Sequence, residues 1–310
     1  MNIRYMINKK IIIASRNSNL AKTQTDLVIS KLKYAGYKNI EKIFLKSKGD
    51  TISKTKFKKF GGKGLFTEEI DNLIIKNKVH LGVHSAKDIP AVLNKKLGIG
   101  AYIDREDVRD ILITKNSNIK KIIQLPKNST LGTSSPRRAA YIKLLRPDLK
   151  IVEIRGNIET RIQKVLNEKV FAIILAKAGL NRIKKLQFKL NFCSIPLSQI
   201  LPAPGQGAIA VTYNKENIFI KKICKKIDCP DTRVSLNSER SLIKKINGDC
   251  FTPIAALAII KNGSIKLKAR LFSRDYEKFV DDTRLGPIKS AKSLGIKCAE
   301  SLLKKLKTLE

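Results

Sequence analysis

Val83-His84-Ser85-Ala86-Lys87-Asp88-Ile89-Pro90 closes a short apolar-leaning run that starts at Lys78. The run reads as a strand, and Pro90 stops any helix because proline biases the residue before it toward extended backbone. Ser85, Lys87 and Asp88 therefore fall at the end of a buried strand, where open α/β sheets bind ligands. A lysine beside an aspartate there is either a structural ion pair or a site, and position alone does not choose between them.

Toward the N-terminus, residues 10–15 (Lys-Ile-Ile-Ile-Ala-Ser) predict a first buried strand. Ser15-Arg16-Asn17-Ser18 follows, then an amphipathic helix from about Leu20 to Ala35 that Gly36 ends. A strand–turn–helix opening aims backbone N–H groups at whatever binds there, which suits an anion, and Arg16 and Ser18 reinforce it. A second strand, Ile40–Lys46, leads into a polar segment, Ser47–Phe60, read as a mobile loop. The loop ends in Gly61-Gly62-Lys63-Gly64-Leu65-Phe66. A phosphate loop needs Ser or Thr after the lysine, and Gly64 stands there, so the nucleotide reading fails. Glycine-rich backbone beside Lys63 still suits close approach to a carboxylate. Thr67 is placed to cap a helix carrying Glu68, Glu69 and Asp71 near its start.

Toward the C-terminus, Gly98–Ile103 reads as a strand and Asp104–Asp110 as a charged crossing between domains, after which Ile111–Thr114 resumes a strand. Thr130–Arg138 runs from strand to helix, with Ser135 as N-cap and Pro136 at the first helical position. Arg137 and Arg138 then crown a helix N-terminus. The strand Ile151–Ile154 ends in Arg155-Gly156-Asn157, and the next helix carries Arg161. The strand Phe171–Ala176 leads to Arg182. Three successive strand ends thus deliver arginine to one sheet edge. That pattern suits a ligand with several carboxylates, each gripped bidentately by a guanidinium. Leu201–Gly207 is a hinge candidate, and Ala208–Tyr213 is a strand expected to return to the first domain. From about residue 227 the character changes: a helix (Thr232–Ile246), two alternating strands (Ala255–Lys261 and Ile265–Phe272) joined by Asn262-Gly263, and a long helix after Pro287.

The net charge of +37 raises a nucleic-acid partner. Of the 63 basic residues 48 are Lys and 15 Arg, and the lysines are scattered without interleaved aromatics, so AT-rich composition explains the charge better than base stacking does. Where any cation suffices this chain supplies Lys, so a persisting Arg marks a place that needs a planar fork. Six of the 15 arginines lie from Arg137 to Arg182. Five cysteines without a CxxC pair, and only His80 and His84 to assist, argue against a disulfide framework and against a structural metal site. No apolar run approaches the roughly 20 residues that cross a bilayer, so a cytoplasmic protein without membrane or nucleic-acid partner is expected.

Gly61–Phe66, His84-Ser85-Ala86-Lys87-Asp88, Gly132–Arg138, Arg155-Gly156-Asn157 and Pro202–Ala208, in this order and with Cys250, closely resemble the porphobilinogen deaminase (hydroxymethylbilane synthase) family over essentially the whole chain. The resemblance implies an α/β fold: two lobes like those of periplasmic binding proteins and a small α+β C-terminal domain. The boundaries expected are 1–104 with 204–226, 105–203, and 227–310. It implies a transferase that polymerises four porphobilinogens head to tail, releases ammonia, and frees hydroxymethylbilane with water. The primer is a dipyrromethane cofactor joined by thioether to the position of Cys250. Asp88 is implied as the catalytic carboxylate, transferring protons and stabilising positive charge near the pyrrole nitrogens. Ser85, Lys87, Thr133, Ser135, Arg137, Arg138 and Lys63 are implied for the cofactor. Arg16, Ser18, Arg155, Arg161, Arg182 and Gln206 are implied for the substrate or growing chain. A monomer that passes its product to uroporphyrinogen-III synthase is the expected setting. Two departures stand out: Gly248-Asp249 precede Cys250 where the family often has two glycines, and Lys48 stands where Arg is common. The alternative is a non-catalytic binder of polycarboxylates on the same two lobes, which would need neither Cys250 nor Asp88.

Overall fold

The computed structural model describes residues 9–46, 64, 66–183, 189–249 and 251–309. Ser47–Phe60, Lys63 and Cys250, each given a role above, lie outside the described residues. The chain divides into two compact units, Met1–Arg105 with Ala208–Arg233, and Glu106–Gly207 with Val234–Glu310.

The first unit holds β1 (Ile11–Arg16), α1 (Asn19–Tyr34), β2 (Ile40–Leu45), α2 (Glu68–Ile75), β3 (Leu81–Ser85), β4 (Leu97–Ile103), β10 (Ile209–Asn214) and α6 (Ile218–Ile227). Its sheet runs β2-β1-β3-β10-β4. The first three strands are parallel, and β10 is antiparallel to both β3 and β4. So the strand expected at Ala208–Tyr213 does return to the first sheet. Ile11, Ile13 and Ala14 are buried, as a central strand covered on both faces demands. In α1, Val28 and Leu32 follow at four-residue spacing on the face turned to the core. The helix stops at Gly36, whose φ of +95° only glycine adopts readily. There Gly36 N–H reaches Lys33 O at 3.0 Å and Tyr37 N–H reaches Leu32 O at 2.9 Å, while Tyr37 and Leu32 both enter the core.

The second unit repeats the topology. It contains β5 (Asp110–Thr114), β6 (Thr130–Gly132), α3 (Pro136–Leu145), β7 (Lys150–Val152), α4 (Ile158–Leu166), β8 (Ala172–Ala176), α5 (Lys177–Arg182) and β9 (Asn191–Ser194). The order is β7-β6-β8-β5-β9, with β6 parallel to β7 and β8, and β5 antiparallel to β8 and β9. Each sheet therefore places two strand-to-helix turns at the end of adjacent parallel strands, β1 and β3 in one, β6 and β8 in the other. This is an α/β architecture of two like lobes.

From Val234 on, the same unit carries the small C-terminal part: the rest of α7 (Pro230–Ile246), then β11 (Ile254–Lys261), β12 (Ser264–Phe272), β13 (Phe279–Pro287) and α8 (Ala291–Leu309). Asn262 (φ +48°) and Gly263 (φ +71°) make the predicted hairpin turn. β13 is the strand the sequence reading lacks. Its Asp281-Asp282-Thr283-Arg284 run looks like a surface loop, but Asp281 takes a two-pronged grip from its cross-strand neighbour Arg270, at 2.7 and 2.6 Å. Leu294, Cys298, Ala299 and Leu302 of α8 pack under the sheet. Phe272 meets Tyr141 of α3 edge-on at 4.9 Å, so this part rests on the helix that bears Arg137 and Arg138.

Candidate functional site

In the first unit β1 and β3 end side by side, and a cleft opens over their ends. Arg16, Ser18, Gln24, Phe66, His84, Ser85 and Asp88 line it. Ser18 is the N-cap of α1, its Oγ accepting from Ala21 N–H at 3.2 Å. The Arg16 guanidinium lies 4.5 Å from the centre of the Phe66 ring, and a ring face orients a guanidinium without consuming its N–H donors. Ser85 Oγ accepts from Gln24 Nε2 at 2.9 Å. A single 3-10 turn, Ala86–Asp88, follows β3. It leaves Lys87 exposed and Asp88 half-buried on the cleft wall. The Asp88 carboxylate has no hydrogen-bond or ion-pair partner among the described residues. Of the two readings of the Lys87–Asp88 pair, no ion pair joins them.

Beneath the cleft, His84 Nε2 is 3.1 Å from Thr212 Oγ1 of β10. Burial, with the Arg16 charge adding, pushes the His84 imidazole down to about 4, so it is neutral at physiological pH. In α2, burial pushes the Asp71 carboxyl up to about 6, with Glu68 adding, and Asp71 Oδ1 has no hydrogen-bond partner among the described residues.

In the second unit the predicted cap is present: Ser135 Oγ accepts from Arg138 N–H at 3.4 Å and Pro136 opens α3. Thr133 Oγ1 accepts from Ser135 N–H at 3.2 Å. The guanidiniums of Arg137 and Arg138 do not crown the helix as the sequence suggested. They turn onto Asp110, the first residue of β5. Arg137 Nη1 reaches Oδ2 at 2.8 Å and Arg138 Nη2 reaches Oδ1 at 2.9 Å. Arg137 Nη1 also donates to Leu201 O at 2.7 Å, and Arg138 Nη1 to Ile174 O at 2.9 Å. Gln206 Nε2 adds a third donor to the Asp110 carboxylate, reaching Oδ1 at 2.9 Å. Asp110 is 1% exposed and the arginines 3% and 5%. Burial alone would raise the Asp110 carboxyl, but the two guanidiniums outweigh it and hold it well below the usual carboxylate range.

Two buried guanidiniums against one carboxylate leave a positive charge in excess, and Nε of both arginines lacks a partner among the described residues. Buried charge of that kind calls for an anion. A carboxylate-bearing group such as a dipyrromethane fits this donor set.

The other predicted arginines are also placed. Arg182 Nη2 donates to Gly207 O at 2.6 Å, and burial lowers its pKa. Arg155 Nε meets Glu153 Oε1 at 2.8 Å, and Arg161 Nε meets Gly156 O at 2.8 Å at the start of α4. Both are half-buried, Arg155 in the turn after β7 and Arg161 in the first turn of α4. No group of three His, Cys, Asp or Glu that could hold a metal occurs among the described residues.

Three residues of these networks were not singled out from sequence. Gln24 is a polar residue on the apolar stripe of α1, four before Val28, and that interruption is its signal. Asp110 hides in a run of charges and stands out only once β5 is seen to begin with it. Glu239 is buried in α7 and accepts from Gly205 N at 2.7 Å and Ala258 N at 2.8 Å, fastening the Pro202–Gly207 connector to β11.

Residues 11–222 match the family model described as "Porphobilinogen deaminase, dipyromethane cofactor binding domain", and residues 234–304 match "Porphobilinogen deaminase, C-terminal domain". A Rickettsia bellii protein named porphobilinogen deaminase is 40% identical over 301 residues, 96% of this chain and 99% of that protein. A Clostridium acetobutylicum protein of the same name is 37% identical over 294 residues, 95% of this chain and 99% of that one. Among solved structures, the VFT2 domain of Bordetella pertussis BvgS is similar at a TM-score of 0.46 and 11% identity, over 72% of this chain and 89% of that domain.

Proposed function

The chain belongs to the porphobilinogen deaminase family, and from that premise we propose how its residues share the reaction. The enzyme joins four porphobilinogens head to tail, releases ammonia at each addition, and frees hydroxymethylbilane with water, a step of tetrapyrrole and haem biosynthesis. When bound, the dipyrromethane supplies the pyrrole carbon to which the first porphobilinogen is joined.

Asp88 is the acid–base group. Loss of ammonia leaves the aminomethyl carbon of an incoming porphobilinogen electron-poor, with positive charge spread toward the pyrrole nitrogen. A carboxylate on the cleft wall stabilises that charge and accepts the proton released when the new carbon–carbon bond forms. Its lack of a partner among the described residues, the observation that carries this reading, leaves it able to do both. Arg16 and Ser18 hold porphobilinogen carboxylates beside it. Phe66 turns the Arg16 fork, and neutral His84 avoids a second positive charge near Arg16.

Arg137 and Arg138, with Ser85, Lys87, Thr133, Ser135 and Lys63, hold the cofactor carboxylates, and Cys250 anchors the cofactor through its sulfur. Arg155, Arg161, Arg182 and Gln206 serve the growing chain, whose carboxylates multiply with each addition. We assign the work to three segments: 1–104 with 204–226 for acid–base chemistry, 105–203 for anion binding, and 227–310 for the anchor. No helix of the described residues is long and apolar enough to cross a membrane. A cytoplasmic monomer that hands its product to uroporphyrinogen-III synthase completes the reading.

Asp88→Asn tests it. The amide keeps the shape and loses the charge, so cofactor mass should persist while turnover falls by about 10²–10⁴-fold. Near-parental turnover in a cofactor-loaded sample removes Asp88 from this role and favours a different acid–base group.

A further inference from the structure

We propose that Asp110 is the positioning residue of the cofactor site: it holds Arg137 and Arg138 as one unit whose forks are set before any carboxylate arrives. This rests on the assignment of those arginines to the cofactor. Four observations carry it. Asp110 uses one oxygen for each guanidinium, Oδ2 for Arg137 and Oδ1 for Arg138. Gln206 donates to Oδ1 from outside the pair and fixes the carboxylate plane. Backbone carbonyls of Leu201 and Ile174 take a further donor from each arginine. All three charged groups are almost wholly buried, so no water competes for them.

The arrangement solves a problem that arises from the sequence. Adjacent arginines on one helix turn repel each other and carry long, floppy stems. Ordering them when the cofactor binds would cost side-chain entropy and weaken the grip. A single buried carboxylate between them lowers the repulsion and freezes both stems in advance. It neutralises only one of the two charges, so the unit stays attractive to one further anion. An aspartate does this where a second acid would not: with two acids the cluster would be neutral and indifferent to carboxylates. Asp110 therefore governs loading of the cofactor without touching it.

The test reads cofactor loading on the full chain by intact mass after porphobilinogen is supplied, beside a thermal melt. Asp110→Asn keeps volume and removes charge, so it should melt cooperatively yet load about tenfold or more slowly. Asp110→Ala opens a carboxylate-sized gap, and millimolar formate should speed its loading while leaving Asp110→Asn unchanged. A role in packing alone predicts the reverse: Asn restores loading and formate does nothing. Parental loading by Asp110→Asn overturns the proposal. If Asp110→Asn does not fold, Arg138→Gln is compared with the double variant Asp110→Asn/Arg138→Gln, which has no added surplus of buried charge. The double variant should load about tenfold more slowly, because Arg137 has lost its anchor; equal loading overturns the proposal. Arg137→Met and Arg138→Met separate the two levels. If both load at the parental rate, the arginine assignment itself fails; if they are impaired and Asp110→Asn is not, only the role of Asp110 fails.

Discussion

The carbonyl oxygen of Glu106 occupies the place where a side chain on residue 207 would begin: a Cβ built on Gly207 would stand 2.4 Å from it. Glu106 N–H in turn donates to Gly207 O at 3.1 Å, and the φ of Gly207 is +90°. Two stretches far apart in sequence are thus pressed together through a residue that has no side chain. The glycine is required twice, for its backbone angle and for the space beside it.

Gly207→Ala should destabilise the protein by about 3 kcal/mol or more, since the obstacle is backbone and cannot swing away. A thermal melt on the purified variant checks this. A melting temperature within a degree of the parent would mean that the connector relaxes freely.

The surviving arginines give the second prediction. Arg155 and Arg161 stand at the β7 end and in the first turn of α4, in a chain that elsewhere favours lysine. Lysine keeps the charge but not the fork. Losing one charge-assisted hydrogen bond costs roughly 1.5–3 kcal/mol, so Arg155→Lys or Arg161→Lys should lower kcat/KM about tenfold or more with little change in melting. The exposed Arg274 should tolerate the same change. Equal, small effects at all three positions would show that the persistence of arginine marks nothing.

Much of this architecture was legible because it depends on local chemistry. The Ser135-Pro136 helix start, the stop at Gly36 and the Asn262-Gly263 turn each follow from one or two residues and their backbone preferences. So do the strand ends that deliver Arg16, Ser85, Asp88 and Arg155. What escaped depends on pairing across the chain. β13 is a strand because Arg270 waits opposite Asp281, and nothing within 279–287 announces that. The direction taken by Arg137 and Arg138 is set by Asp110, 27 and 28 residues away. The residues that bind were readable as types; the residues that aim them were not.

Asp71 supplies a pH prediction. Its folded pKa, about 6, is raised above the ordinary 3.8 by burial. A raised carboxyl favours its neutral form in the fold, so its contribution is fully present below about 3.8 and lost as pH rises through about 6. At pH 8 the buried charge should cost about 2–3 kcal/mol. Asp71→Asn cannot ionise, so it should melt higher than the parent at pH 8 and alike near pH 4. His84 acts in the other direction. Its depressed pKa stabilises the fold above 6.5 and that stability fades as pH falls toward about 4, but equally in both proteins, so the comparison cancels it. A gap that does not widen between pH 4 and 6 would contradict the burial of Asp71.

Cys250 is proposed as the cofactor anchor. Two of the other cysteines are poorly suited: burial pushes the Cys224 and Cys298 thiols up to about 12. A thiol held protonated is a weak nucleophile. The direct measurement is the intact mass of the parent beside Cys250→Ser, both purified after exposure to porphobilinogen. The parent should exceed its sequence mass by one dipyrromethane, and the folded variant should carry no addition and form no hydroxymethylbilane. A covalent dipyrromethane on Cys250→Ser, at any other cysteine, would contradict the account.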